Sequence, residues 1–266
     1  MKKLYYSLLT AVLFTACGTL NQINLFSVED DKKFGNQMYA QIQEDPKDYP
    51  LLDPAKHPVA YTHVNRILQT LLSSSSVNYV KEFDWTIRIV DADVLNAFAC
   101  PGGKIYVYKG LIKFLDNEAQ LAGVIAHEMA HISNRHSTRQ MTKQFGVASL
   151  TDLLLGQTSN QYAQLAAQMA GTLGGLAFSR SDEYEADNHA VKYLSDTGYN
   201  PLGIAGFFQK MTADGQAGGT SLTFLSTHPS PPDRIQKIQE AWGSYGSKKG
   251  DDFAVRYTQL KNSLPK

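Results

Sequence analysis

Asp116-Asn117-Glu118-Ala119-Gln120-Leu121-Ala122-Gly123-Val124-Ile125-Ala126-His127-Glu128-Met129-Ala130-His131-Ile132 is the stretch on which the fold turns. Asp116 or Asn117 can cap a helix. Leu121, Val124, Ile125, Met129 and Ile132 then recur at helical spacing and mark a core helix. Two histidines and a glutamate inside such a helix are costly unless they have partners. Residues four apart lie about 40° apart around a helix and one turn apart in height, so His127 and His131 project together and can hold one metal ion. Glu128 sits roughly 100° further round, within reach of a water held by that ion. This is the H-E-x-x-H pattern of zinc-assisted hydrolysis, with Glu128 as general base.

Catalytic zinc takes three protein ligands and keeps one position open. On a continuous helix His136, nine residues past His127, lies about 180° around and points away. The acidic segment Ser179-Arg180-Ser181-Asp182-Glu183-Tyr184-Glu185-Ala186-Asp187 offers a better third ligand in Glu183. Asp187 is four residues on, on the same face, where it can accept the N–H of a ligating histidine and fix its tautomer. Glu185 reads as part of a solvated face.

Outward from this pair, the pattern is mainly helical. Glu44 to Pro58 reads as loop from its four prolines. Val64, Ile67, Leu68, Leu71 and Leu72 form the stripe of an amphipathic helix. Phe83, Trp85, Ile87 and Ile89 alternate as a half-buried strand. Ala97–Cys100 and Ile105–Tyr108 flank Pro101-Gly102-Gly103 as a hairpin or tight turn. Leu153 to Ser179 carries no charge, yet Gln157, Asn160, Gln161, Gln164 and Gln168 make it too polar to span lipid. It reads as a helical hairpin, roughly 138–155 and 160–178. Helices follow at about 181–194 and 201–211, with a closing helix after Arg234.

Of 266 residues 43% are hydrophobic, and Lys+Arg balance Asp+Glu at 25 each. That is globular composition with no basic stripe, so no nucleic-acid partner is expected. Lys2 and Lys3 precede the apolar run Leu4 to Phe14, and Phe14-Thr15-Ala16-Cys17 follows. This is a signal segment of lipoprotein type, in which Cys17 becomes the lipidated N-terminus. The expected organisation is a signal peptide at 1–16, a tether at 17–33 with a short helix near Phe34 to Ile42, a zinc metallopeptidase domain at 34–242 and a C-terminal tail at 243–266. Cys100 then has no partner and reads as a small buried hydrophobe.

H-E-M-A-H followed by S-R-S-D-E-Y-E-A-D resembles the gluzincin metallopeptidases that include HtpX, the CAAX prenyl protease and BepA-like periplasmic lipoprotein proteases. Asn96–Val107 looks like the strand segment before that family's zinc helix, and Ser226-Thr227-His228-Pro229 through Arg234 looks like its C-terminal motif. The resemblance covers about residues 30–242. It implies an α+β, mainly α-helical, zincin-like metalloprotease domain with a small β-sheet beside the H-E-x-x-H helix. It also implies glutamate as third zinc ligand, one zinc ion per chain and endopeptidase activity. Cys100 departs from the residue usual in the family. The lipoprotein branch fits the signal segment and implies a bacterial periplasmic enzyme, lipid-anchored to the envelope at its outer membrane, that cuts misfolded or misassembled envelope proteins.

Asn96, Ala97, Phe98 and Ala99 are expected to hold extended substrate as an edge strand, with Gly102 and Gly103 allowing another chain to approach. His228 and Arg234 are candidate catalytic donors to the negative charge that develops on the scissile carbonyl oxygen. Arg234 has an alternative in pairing with Asp233 or Asp187. His228 has one in reaching the zinc as neutral imidazole and displacing water. The alternatives to proteolysis are a chaperone-like envelope lipoprotein that rarely cuts and a zinc hydrolase of non-peptide amides or esters. An intact Glu128 argues against the first.

Overall fold

The computed structural model describes residues 23–145, 164, 178–216, 222–229 and 233–266. In chain order these form α1 (Val28–Glu44), α2 (Pro58–Leu72), β1 (Thr86–Val90), β2 (Ala97–Cys100), β3 (Lys104–Tyr108), α3 (Lys109–Phe114) and α4 (Glu118–Ser133). They continue with α5 (His136–Phe145), α6 (Arg180–Ser195), α7 (Gly203–Gln216), α8 (Leu222–Thr227), α9 (Arg234–Ser244) and α10 (Ala254–Asn262). The fold is the mainly helical α+β class expected, with one small sheet.

Every residue of α4 is buried. A helix apolar on all sides needs a neighbour on all sides, and α4 packs against α6, α7, α2 and the sheet. Its start is capped by Asn117, whose side chain accepts from the Gln120 amide at 2.9 Å. Gly123 lets α7 pass close by, because a Cβ there would lie 2.4 Å from the Ile204 nitrogen.

The sheet has the order β1-β3-β2, with β1 parallel and β2 antiparallel to the central β3. The turn at Pro101–Gly103 depends on its glycines, with φ of 71° at Gly102 and 99° at Gly103. Added Cβ atoms there would meet the backbone of Asp31 at 2.9 Å and of Asp84 at 3.0 Å. The space that the sequence reading left for a substrate chain is therefore filled by the protein's own backbone.

Three boundaries differ from expectation. First, α1 begins at Val28 rather than near Phe34, because Ser27 and Asp30 form a capping box. Its Asp31 pairs with Arg135, so part of the expected tether belongs to the fold. Second, the expected tail ends in α10, which is integral. Tyr257 and Leu260 are fully buried, the Tyr257 hydroxyl donates to the Ile112 carbonyl at 2.7 Å, and Arg256 donates to Glu118 at 2.8 Å. Third, α4 stops at Ser133. Arg135 turns into the left-handed region at φ 55°, and the chain restarts as α5 at His136. The signal segment with Cys17, and most of the expected hairpin at 138–178, lie outside the described residues. Among the described residues no helix is long and apolar enough to cross a membrane.

Candidate metal centre

The centre lies where α4 faces α6. Ser179 caps α6 through a capping box with Asp182, which sets the register that turns Glu183 and Asp187 toward α4. The Nε2 atoms of His127 and His131 are 3.0 Å apart. Glu183 lies 3.4 Å from His127 Nε2 and 3.5 Å from His131 Nε2. The Nδ1 of His228, from the segment after α8, lies 3.1 Å from Glu183 Oε1 and 3.3 Å from His127 Nε2. One ligand atom from each of His127, His131, Glu183 and His228 falls within 4.8 Å of the others, and all four residues are buried.

The donor set fits a divalent cation of borderline softness, for which imidazole nitrogen and carboxylate oxygen are ordinary ligands. Glu128, Glu183 and Asp187 are three buried carboxylates beside one buried guanidinium, Arg234. A divalent cation would take over the compensation of these carboxylates that Arg234 and the histidines otherwise provide. Glu128 Oε1 is buried and accepts no hydrogen bond among the described residues, although His228 Nε2 lies 3.4 Å away. Glu183 Oε2 is in ion-pair contact with Arg234 at 2.8 Å yet, among the described residues, also lacks an aligned hydrogen bond.

The electrostatics follow from burial and neighbours. Burial pushes the Glu128 carboxyl up, against the pull of His228 and His127. That is the direction useful in a general base. Burial also works against the charge on Glu183, but His228, His127 and His131 hold it far below the usual carboxylate range. For His127, burial is outweighed by hydrogen bonds to Asp187 and Glu183, which raise it to about 9. Burial dominates at His131, which is held well below its usual value.

Asp187 stands where the sequence reading put it. Its Oδ1 accepts from His127 Nδ1 at 2.9 Å, leaving Nε2 turned into the cluster. Arg234 does not stand as expected. Its side chain is fully buried, and its Nε and Nη2 donate to both Asp187 oxygens at 2.5 and 2.9 Å. Its guanidinium carbon lies 4.1 Å from the centre of the Phe208 ring. Arg234 thus braces the carboxylates behind the site, the alternative pairing with Asp187.

β2 lies at the edge of the sheet, and three of its four side chains, those of Ala97, Phe98 and Cys100, are buried. Asn96, just before the strand, is buried as well, and Phe98 stacks on Tyr106 with ring centres 4.7 Å apart. Tyr108 N donates to Asn96 O at 3.1 Å, and in an antiparallel pair this turns the backbone of Ala97 and Ala99 outward. Asn96 Oδ1 takes the Ala97 N–H.

Three features escaped the sequence. His136 does not point away: its Nδ1 lies 2.8 Å from His131 Nδ1, because the break at Arg135 returns the chain to the site. Glu185 is not merely solvated, since its Oε2 meets His136 Nε2 at 3.2 Å and Arg139 at 3.0 Å. Phe178, just before α6, stacks on His131 with ring centres 4.0 Å apart, and nothing in its sequence context signals this.

Two histidines one turn apart, a carboxylate from a second helix and a glutamate beside the first histidine make this the site of a metallopeptidase. The chain belongs to peptidase family M48, whose model matches residues 58–242. It is 30% identical over 220 residues to the mitochondrial metalloendopeptidase OMA1 of Schizosaccharomyces pombe, covering 82% of this chain and 63% of that one. It is 32% identical over 187 residues to the beta-barrel assembly-enhancing protease of Escherichia coli K12, covering 67% of this chain and 38% of that one. Metalloprotease YcaL of the same organism is 25% identical over 215 residues, with 79% of each chain covered. The chain thus spans only part of the first two relatives.

Proposed function

We propose that this chain is a zinc-dependent endopeptidase of the bacterial cell envelope that hydrolyses peptide bonds of misfolded or misassembled envelope proteins. The observation that carries the reading is the convergence of His127, His131 and Glu183 with Glu128 one residue from His127, its Oε1 buried and, among the described residues, without a hydrogen bond. The similarity to a beta-barrel assembly-enhancing protease supports the substrate class. Lipid anchoring at Cys17 in the periplasm, at the outer membrane, rests on the signal segment.

In this reading His127, His131 and Glu183 hold one zinc ion, and Asp187 fixes the tautomer of His127. When bound, zinc supplies Lewis acidity and makes water a competent nucleophile near neutral pH. Glu128 takes the proton of the attacking water on Oε1 and delivers it to the leaving amine. His228 donates toward the charge developing on the scissile carbonyl oxygen. The outward backbone of β2 at Ala99 pairs with extended substrate as an added strand.

Glu128→Gln tests the mechanism, because an amide cannot accept the proton. The variant should keep zinc and fold while hydrolysis of an unfolded protein falls by at least about 10²–10⁴-fold. Cleavage at the wild-type rate by a variant of verified purity would overturn it.

A further inference from the structure

We propose that His136 is a positioning residue for the metal centre: it accepts the Nδ1–H of His131, holds that imidazole's Nε2 on the metal, and is itself fixed by Glu185 and Arg139. This rests on the reading that His131 is a metal ligand.

The two histidines of α4 are backed differently. Behind His127 stands a carboxylate, Asp187, at 2.9 Å, with Arg234 behind it. Behind His131 stands an imidazole, His136, with Nδ1 to Nδ1 at 2.8 Å. A nitrogen pair at that distance has one donor and one acceptor. A histidine that ligates through Nε2 in its neutral form carries its proton on Nδ1. His131 is then the donor and His136 Nδ1 the acceptor. That places the His136 proton on Nε2, where Glu185 Oε2 waits at 3.2 Å. The Glu185 carboxylate is held in turn by Arg139, which donates to it at 3.0 Å and to Asp182 Oδ1 at 2.8 Å. Each tautomer in the chain His131–His136–Glu185 follows from its neighbour.

His136, Asp182 and Glu185 also lie close enough together to resemble a second metal site. They do not act as one here, because the Arg139 guanidinium already sits on both carboxylates and would repel a cation. The chemical consequence is a difference in charge. A carboxylate against each ligating histidine would add a second full negative charge beside the metal. The interposed imidazole orients His131 while keeping the Glu185 charge one ring further away, which preserves the Lewis acidity of the bound ion. The break between α4 and α5 at Arg135 makes this possible, since on an unbroken helix position 136 would face the opposite side.

The test is zinc affinity, measured by competition with a chromogenic chelator, with fold monitored by circular dichroism. Wild type must first bind one zinc, and His131→Ala must lose it; failure of that control sinks the ligand assignment rather than the role of His136. Given the control, His136→Phe, which fills the volume but offers no acceptor, should weaken zinc binding by roughly 10–100-fold. His136→Asn, whose side-chain oxygen can occupy the place of Nδ1, should restore binding to within a few-fold of wild type. Wild-type affinity in folded His136→Phe, or an Asn variant as weak as Phe, would overturn the proposal and leave His136 a packing residue. Should His136→Phe fail to fold, nitrogen-15 spectra of the imidazoles in the zinc-loaded wild type decide. A proton on His136 Nε2 with Nδ1 bare supports the inference, and a proton on His136 Nδ1 refutes it.

Discussion

Replacing Arg234 with methionine separates its role as a brace from a role as a donor to the reacting carbonyl. The guanidinium is fully buried and donates to both oxygens of Asp187 at 2.5 and 2.9 Å, with Glu183 at 2.8 Å. Methionine keeps most of the volume against Phe208 but leaves two buried carboxylates without their cation. Removing one partner of a buried ion pair costs about 3–5 kcal/mol. For a domain of this size about 1 kcal/mol moves Tm by roughly 2–4 °C, so the metal-free variant should melt roughly 6–20 °C lower. Zinc should recover part of the loss, because the ion supplies positive charge beside Glu183 and stabilises whichever state binds it. Coupling gives a second check. Asp187→Asn in the Arg234→Met background should cost less than it does alone, since the unpaired carboxylate is gone. Calorimetry of the four proteins, with and without zinc, measures all of this. A metal-free Arg234→Met that melts within 2 °C of wild type while kcat falls about 10²–10³-fold would refute the brace and restore the donor.

Three further tests bear on other parts of the molecule. His228→Ala should lower kcat by roughly 10²–10³-fold if the imidazole stabilises the transition state, and raise activity if it only occupies the metal; peptidase assay together with zinc titration decides, and a variant equal to wild type in both would remove both roles. Tyr257→Ala should cost about 3–5 kcal/mol in denaturant unfolding, as for a buried aromatic, whereas a dispensable tail would give less than about 0.5 kcal/mol. Cys17→Ser should move the protein from the membrane to the soluble fraction, since several acyl chains anchor firmly where one does not; persistent detergent-dependent association would call for a different anchor.

What the sequence made legible was whatever depends on short, regular geometry. The apolar period of α4 and the four-residue spacing of His127 and His131 depend only on helical pitch, and the structure brings both histidines to one point. Glu183 and Asp187 follow the same rule on α6, and their meeting with α4 was inferable because buried carboxylates and buried histidines each need the other. The sequence misleads where a helix stops early or a polar segment is structural. On an unbroken helix His136 would face away, yet Asn134 is a common helix terminator and Arg135 takes a left-handed φ of 55°. A non-glycine residue in that region is uncommon enough that its sequence gives little warning. The chain after Gly243 looked like linker because it is polar and holds Gly246 and Gly250. Even so, Tyr257, Leu260 and Leu264 fall at i, i+3 and i+7 and all are buried, so the signal for α10 was present but short. Arg234 is the instructive case. A cation near a catalytic motif is compatible with touching substrate or with neutralising the ligands' carboxylates. Sequence spacing cannot choose between these, because the choice depends on which side of the α4–α6 interface the guanidinium enters. Burial decides it: a charge with no solvent contact and two carboxylates within 3 Å is already spent on them, and its influence on the reaction passes through the histidine and glutamate it holds in place.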